Sequence, residues 1–208
     1  MLHLGKQPSE LKLPPPRDKG QMSVEEAIAR RRSVRRYTRE PLSLSHLSQV
    51  LWAAQGLTGG GRFRAAPSAG ATYPLEVFAV TGKGGVEGLE EGIYHYNVKN
   101  HSLEPHKWGD LREELSIAAL DQEFIAQAPV DIVICALYQR TWRHYGRRAE
   151  RYVHMEAGHV GQNIHLQAVA LGLAVVMVGA FEDERVREVM DLAQEIRPLY
   201  IIPLGKPR

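Results

Sequence analysis

The sequence predicts an α+β fold. Its 208 residues mix helical and strand-like segments, they do not alternate in the βαβ rhythm of a parallel sheet, and no internal repeat organises them. A chain of this length fits one core better than two. Hydrophobic residues make up 44% of it, yet no apolar run approaches the roughly 20 residues of a membrane span. The start of the chain lacks the charged, apolar and small-residue succession of a secretory signal. The single cysteine, Cys135, lies inside an apolar run, so no disulfide framework exists and a reducing cytoplasm is the expected home. A net charge of +2 announces no polyanion partner by itself.

Residues 1–20 carry Pro8, Pro14, Pro15 and Pro16 among polar residues and read as an extended arm, leaving 21–208 as one domain. Ser23 and Glu26 have capping-box spacing and open a helix running to about Ser33. A second helix spans about Ser43 to Gly56, with Leu44, Leu47, Val50, Leu51 and Ala54 at helical spacing. A loop of Gly, Arg and small residues leads to a strand at Glu76–Thr81. Two short runs, 93–96 and 102–105, flank a polar stretch and predict a hairpin. Asp110 with Glu113 reads as another cap pair opening a helix. Val130–Tyr138 reads as a buried strand and Arg148–Leu171 as a long helix stopped by Gly172. Val153, Ala157, Val160, Ile164, Ala168 and Leu171 share one face of that helix. Ala174–Phe181 reads as a further buried strand, Asp183 as the cap of a helix to about Ala193, and Leu199–Leu204 as the last strand.

Five arginines fall within the seven residues 30–36, in Ala29-Arg-Arg-Arg-Ser-Val-Arg-Arg-Tyr37. A helix C-terminus favours basic residues, but so many like charges repel unless an anion relieves them. Arginine's planar fork suits phosphate oxygens, so a small phosphorylated ligand, a structural role and nucleic acid all fit this segment. Its local character and the near-neutral chain weigh against nucleic acid. Ala66-Pro-Ser-Ala-Gly-Ala-Thr-Tyr-Pro-Leu-Glu76 is a second unusual segment. Its small residues let backbone amides approach a planar ligand, and Ser68 offers a hydroxyl, although a plain turn would also use Gly and Pro. Gly172-Leu-Ala-Val-Val-Met-Val-Gly-Ala-Phe181 is a buried strand ending at glycine, and Gly205-Lys-Pro-Arg208 is a basic tail.

Taken in order, these four segments resemble the nitroreductase superfamily. Arg31, Arg32, Ser33 and Arg35 match the positions that contact the phosphate arm and flavin edge of FMN. Pro67, Ser68, Ala69, Gly70 and Ala71 match a segment that arrives from the other subunit and lines the flavin. Met177, Val178 and Gly179 match the stretch that offers a backbone N–H near the flavin N5, and Lys206 and Arg208 match a basic end returning to the phosphate. The wording Pro-Ser-Ala-Gly-Ala-x-Tyr-Pro-Leu-Glu is similar to the branch containing SagB-type azoline dehydrogenases, and departs from ordinary nitroreductases, which carry an Asn after paired serines. Arg143-His144-Tyr145-Gly146 resembles the place where azoline dehydrogenases keep a Lys-Tyr pair for proton removal. His144 stands at the lysine position and Tyr145 remains, while a polar surface loop is the alternative reading.

The resemblance implies a mixed, mainly antiparallel sheet flanked by helices and an intertwined homodimer with FMN between subunits. It also implies two-electron transfer from NAD(P)H to nitroaromatic, quinone or similar acceptors. Oxidation of a heterocycle is the alternative activity, and a nucleic-acid-binding or flavin-storage protein a more distant one. No metal site is expected. His-Glu-x-x-His is absent, paired cysteines are absent, and His154, His159 and His165 do not share a helix face. His159 reads as a packing residue and Cys135 as core.

Overall fold

The computed structural model describes residues 10–208; residues 1–9, and with them Pro8, lie outside the described residues. A seven-stranded sheet has the order β1 (Leu11–Lys12), β6 (Ser102–Trp108), β5 (Gly92–Asn97), β4 (Leu75–Thr81), β7 (Val130–Ala136), β9 (Arg197–Gly205), β8 (Ala174–Val175). Every pairing in it is antiparallel. The expected arm is extended from Glu10 onward and joins the sheet: Leu11 pairs with Leu103, and Ser48 Oγ on α2 (Leu44–Gln55) donates to Pro14 O at 2.5 Å.

Strand β7 is buried along its whole length, so its alternate side chains feed two cores. Val130, Ile132, Ile134 and Ala136 pack with α2 and the long helix α6 (Ala149–Ala170). Val133 and Cys135 pack on the other face, with α3 (Arg112–Ala118), α4 (Phe124–Gln127) and α7 (Asp183–Val189). Full burial of each of the Val and Ile side chains among these is worth about 1.5–3 kcal/mol. The expected apolar face of α6 is buried from Val153 to Ala168, and Gly172 takes the left-handed φ of +72° that ends the helix.

Ser23 caps α1 (Val24–Arg30) as its spacing predicts, accepting from Glu26 N–H at 3.1 Å, and Ser43 caps α2, accepting from His46 N–H at 3.2 Å. Several local expectations need correction. Helix α1 stops at Arg30, short of Ser33. Asp110 is not the N-cap of α3, which is Leu111; it accepts from the first N–H of the helix, Arg112, at 3.4 Å, while its carboxylate is held closer by the Arg112 guanidinium at 2.6 and 2.8 Å and by the Lys83 N–H at 3.1 Å. Asp183 is the first residue of α7, not its cap, and that helix ends at Val189. The strand expected to reach Tyr138 ends at Ala136, because Leu137 N–H bonds Pro74 O and the chain turns into α5 (Tyr138–Tyr145). The strand expected over 174–181 keeps only Ala174–Val175, with Val178 bridging to Ile201 further on. The Gly-rich loop contains a small hairpin, β2 (Leu57–Thr58) with β3 (Phe63–Arg64). His159 is exposed and packs no core.

Asp131, on β7, is fully buried and neither carboxylate oxygen has a hydrogen-bond partner. Burial holds its pKa well above the carboxylate range, with Arg112 opposing. A raised native pKa means the fold gains from the bound proton below the ordinary carboxylate pKa and loses that gain as pH rises through the raised value. Asp131→Val therefore stabilises the chain at neutral pH by about 1–3 kcal/mol and removes this decline. Thermal unfolding at acidic and neutral pH checks it; an unchanged or lower neutral midpoint contradicts it.

Candidate active site

The arginine segment leaves α1 with Arg31 as its C-cap and runs extended beside the C-terminal tail. Val34 N–H bonds Val175 O at 3.0 Å, Thr38 N–H bonds Lys206 O at 3.0 Å, and Arg208 N–H bonds Arg36 O at 3.2 Å. Tyr37 is buried beneath and pairs with Pro207. Two stretches far apart in sequence, Arg36–Thr38 at the end of the arginine segment and Lys206–Arg208, are thus side by side. Buried His165 of α6 fixes the segment from below, its Nε2 donating to Arg32 O at 3.1 Å.

The charges here are poorly neutralised. Arg30 pairs with Glu26 at 2.6 Å and Lys206 with Glu40 at 2.8 Å. Among the described residues, Arg31, Arg32, Arg35, Arg36 and Arg208 have no carboxylate within salt-bridge distance. Arg32 donates instead to the carbonyls of Ala29 and Arg31, and Arg35 lies 5.6 Å over the Phe124 ring. Ser33 is exposed, and Arg36, Tyr37, Gln127 and Arg208 line a cavity beside the segment. Guanidinium groups gathered without acids suit a phosphate, whose oxygens accept paired charge-assisted bonds. The donor set fits the phosphate of FMN.

The second segment forms a single 3-10 turn, Ala69–Ala71, with Pro67 exposed. Gly70 has φ +58°, and Ala71 and Tyr73 also take left-handed values, +52° and +46°. Helix α5 packs on this loop: the Thr72 and Thr141 hydroxyls are 2.8 Å apart, and a Cβ on Gly70 would lie 2.6 Å from Tyr145 Oη. Tyr145 therefore meets the loop, and also packs edge-on to Tyr152 at 4.9 Å; His144 beside it is exposed. This stretch is helical, so the alternative of a surface loop is corrected. The Ser68 hydroxyl faces inward, accepting from Tyr73 N–H at 2.9 Å.

In the third segment Met177 lies against α6, where a Cβ on Gly161 would meet its sulfur at 2.4 Å. Val178 N–H is committed to Ile201 O at 2.8 Å, leaving exposed Gly179 as the open end of the stretch. Helix α6 thus touches all three segments: Ser68 through Glu156, Met177 through Gly161, and Arg32 through His165. Glu156 and His165 are nine residues apart, about 13 Å along the axis and half a turn around it. The loop and the arginine segment consequently lie on opposite faces of this helix.

Sequence reasoning overlooked Glu156, Gln55 and Arg64. Glu156 carried a signal, since it falls on the apolar stripe Val153, Ala157, Val160, where an unpaired carboxylate would be costly. No group of three or more His, Cys, Asp or Glu able to hold a metal occurs among the described residues. Burial pushes the Cys135 thiol pKa up, which suits a core residue rather than a nucleophile.

The sequence profile of the Nitroreductase family matches residues 28–206. The chain belongs to the nitroreductase family. A nitroreductase homologue of Methanocaldococcus jannaschii is 45% identical over 197 residues, covering 95% of this chain and 96% of that one. The crystal structure of a nitroreductase homologue from Ralstonia eutropha superposes with a TM-score of 0.83 at 28% identity, over 99% of this chain and 92% of the other. The microcin B17-processing protein McbC of Escherichia coli is 30% identical over 139 residues, 65% of this chain and 51% of its own length. This last likeness points to the branch that the Pro67–Glu76 wording resembles. The protein is an oxidoreductase enzyme with the nitroreductase fold.

Proposed function

We propose that this nitroreductase-family chain is an FMN-dependent enzyme working as a homodimer, and that it passes two electrons from NAD(P)H to nitroaromatic, quinone or similar acceptors. The observation that carries the reading is the group of acid-free arginines where the Arg31–Arg36 segment meets the tail. Arg31, Arg32, Ser33 and Arg35 hold the phosphate arm, with Arg208 and Lys206 beside them; Lys206 must leave Glu40 to take part. Pro67–Ala71 of the partner subunit line the ring, and Met177–Gly179 pass along it. FMN supplies the two-electron chemistry when bound, and the protein supplies binding, orientation and electrostatics. The donor and the acceptor use the same face in turn, so ping-pong kinetics follow.

The shared site is supported by α6. One chain holds the loop and the arginines on opposite faces of that helix, so a pocket built from both kinds of segment draws them from two chains. Exposed apolar residues on the lone chain, Val24 and Ile28 on α1, Trp142 on α5 and Met155 on α6, are suited to cover by a second copy. Among the described residues no helix is long and apolar enough to cross a membrane; a cytoplasmic home and the absence of a nucleic-acid partner complete the proposal.

One observation favours a second reading, in which a heterocycle is oxidised: Tyr145 Oη lies against Gly70 of the loop. In that reading Tyr145, with His144 in the lysine place, removes a substrate proton, help worth about 10²–10⁴ in rate. Hydride delivery from NADPH needs no protein base. Tyr145→Phe and His144→Ala should each slow flavin reduction by NADPH less than about tenfold in stopped flow, well short of that acid–base range. A hundredfold loss in oxidation of an azoline substrate by either variant, with FMN still bound and reduction by NADPH little changed, moves the assignment to the dehydrogenase.

A further inference from the structure

The polar residues beneath the 66–73 loop close on one another. Tyr73 N–H donates to Ser68 Oγ at 2.9 Å, and the Ser68 hydroxyl interacts with the Glu156 carboxylate, favouring its ionised form. Gln55 Nε2 donates to Glu156 Oε1 at 3.4 Å, and Arg64 donates to Gln55 Oε1 at 2.9 Å. The Arg64 guanidinium then lies 4.4 Å over the Tyr73 ring, which completes the circuit. Its members come from α2, β3, the loop and α6. Two chains of donors, from Tyr73 through Ser68 and from Arg64 through Gln55, both end on the Glu156 carboxylate, which is 2% exposed.

The loop above this ring is strained. Ala71 and Tyr73 hold left-handed φ without being glycine, and such conformations persist only where the surroundings over-determine them. The ring supplies that determination at Ser68 and Tyr73, and α5 supplies it at Gly70 and Thr72.

We propose that Glu156 is a positioning residue of the enzyme: as the acceptor on which the ring closes, it fixes the shape in which the 67–73 loop meets the flavin. The inference rests on the flavin reading for its ligand, but not for the ring itself. The charged group facing Glu156 is Arg64, on which Glu76 of β4 and Arg140 of α5 act in turn. Burial raises the Glu156 pKa, against the hydrogen bonds of Ser68 and Gln55 and the charge of Arg64. Protonation in acid turns one acceptor oxygen into a donor and opens the ring.

Glu156→Gln tests this at nearly constant volume, because an amide nitrogen cannot accept from Ser68 or Gln55. In flavin-free protein, hydrogen exchange at the Tyr73 amide should accelerate about tenfold or more, while amides of β7 stay protected. FMN should bind about tenfold more weakly to the variant at neutral and basic pH. The ratio of variant to wild-type affinity should close toward one as pH falls through the Glu156 pKa. A residue with a merely structural role would give a ratio independent of pH. Ser68→Ala severs the same link without entering the core, and its FMN affinity should show the same closing ratio even if Glu156→Gln fails to fold. Unchanged Tyr73 exchange in Glu156→Gln, or a pH-independent ratio in either variant, overturns the proposal. Wild-type protein that binds no FMN, while Tyr73 exchange still depends on Glu156, overturns the flavin reading and leaves Glu156 as the loop's anchor alone.

Discussion

Arg31→Ala should weaken FMN binding by about tenfold to a hundredfold, the loss of a charge-assisted contact worth roughly 1.5–3 kcal/mol. Folding should be spared, because Arg31 serves α1 through its backbone, its N–H bonding Ala27 O at 3.0 Å. Its side chain has no acid partner among the described residues, so no ion pair is lost with it. Removing one cation from a crowded group even relieves repulsion in the flavin-free chain. Fluorescence titration of the apo variant with FMN measures the change, and circular dichroism confirms the fold. Unchanged affinity would assign the arginines to the helix end or to a different anion.

Mixing two damaged chains should restore what neither has. Arg31→Ala/Arg35→Ala strips the phosphate side of a chain. Gly70→Val breaks its loop, since a Cβ there meets Tyr145 Oη at 2.6 Å and the backbone needs φ +58°. Each homodimer should lose nearly all bound flavin. If each site takes arginines from one chain and the loop from the other, a mixed dimer carries one intact site and one doubly damaged site. Random re-pairing of equal amounts should then recover about a quarter of wild-type sites, because half the dimers are mixed and half their sites are whole. Bound flavin after refolding together reads this directly. No recovery, with mixed dimers present, would place both segments in the same chain's site.

Much of the fold was legible because its signals are local and repeated. The stripe along α6, the cap Ser23, the stop at Gly172 and the apolar run of β7 each follow from spacing that one element enforces on itself. Helix α5 was not legible. Tyr138, Thr141, Trp142 and Tyr145 do stand at helical spacing, but the segment is only eight residues long and buries only Thr141, so burial gives it little support; it is held by Arg140, which donates to Tyr73 O at 2.9 Å and pairs with Glu76. Asp110 misled for a similar reason, since its neighbour Arg112 competes for the carboxylate that would have capped α3. For the site, motif wording singled out the arginine segment, the loop and the tail, and the fold brings the first and last together. Glu156, Gln55 and Arg64 are separated by up to a hundred residues and acquire meaning only through contacts that tertiary structure makes. The inward turn of Ser68 likewise follows from Glu156, not from anything in the loop's own sequence.

The central claim is an FMN site completed by two chains. Size-exclusion chromatography with in-line light scattering and visible absorbance, run on purified protein supplied with FMN, tests it most directly. Flavin absorbance should travel only with a species of twice the 23.3 kDa chain mass, at about one FMN per chain. A flavin-loaded monomer, or a dimer that takes up no FMN, would contradict it.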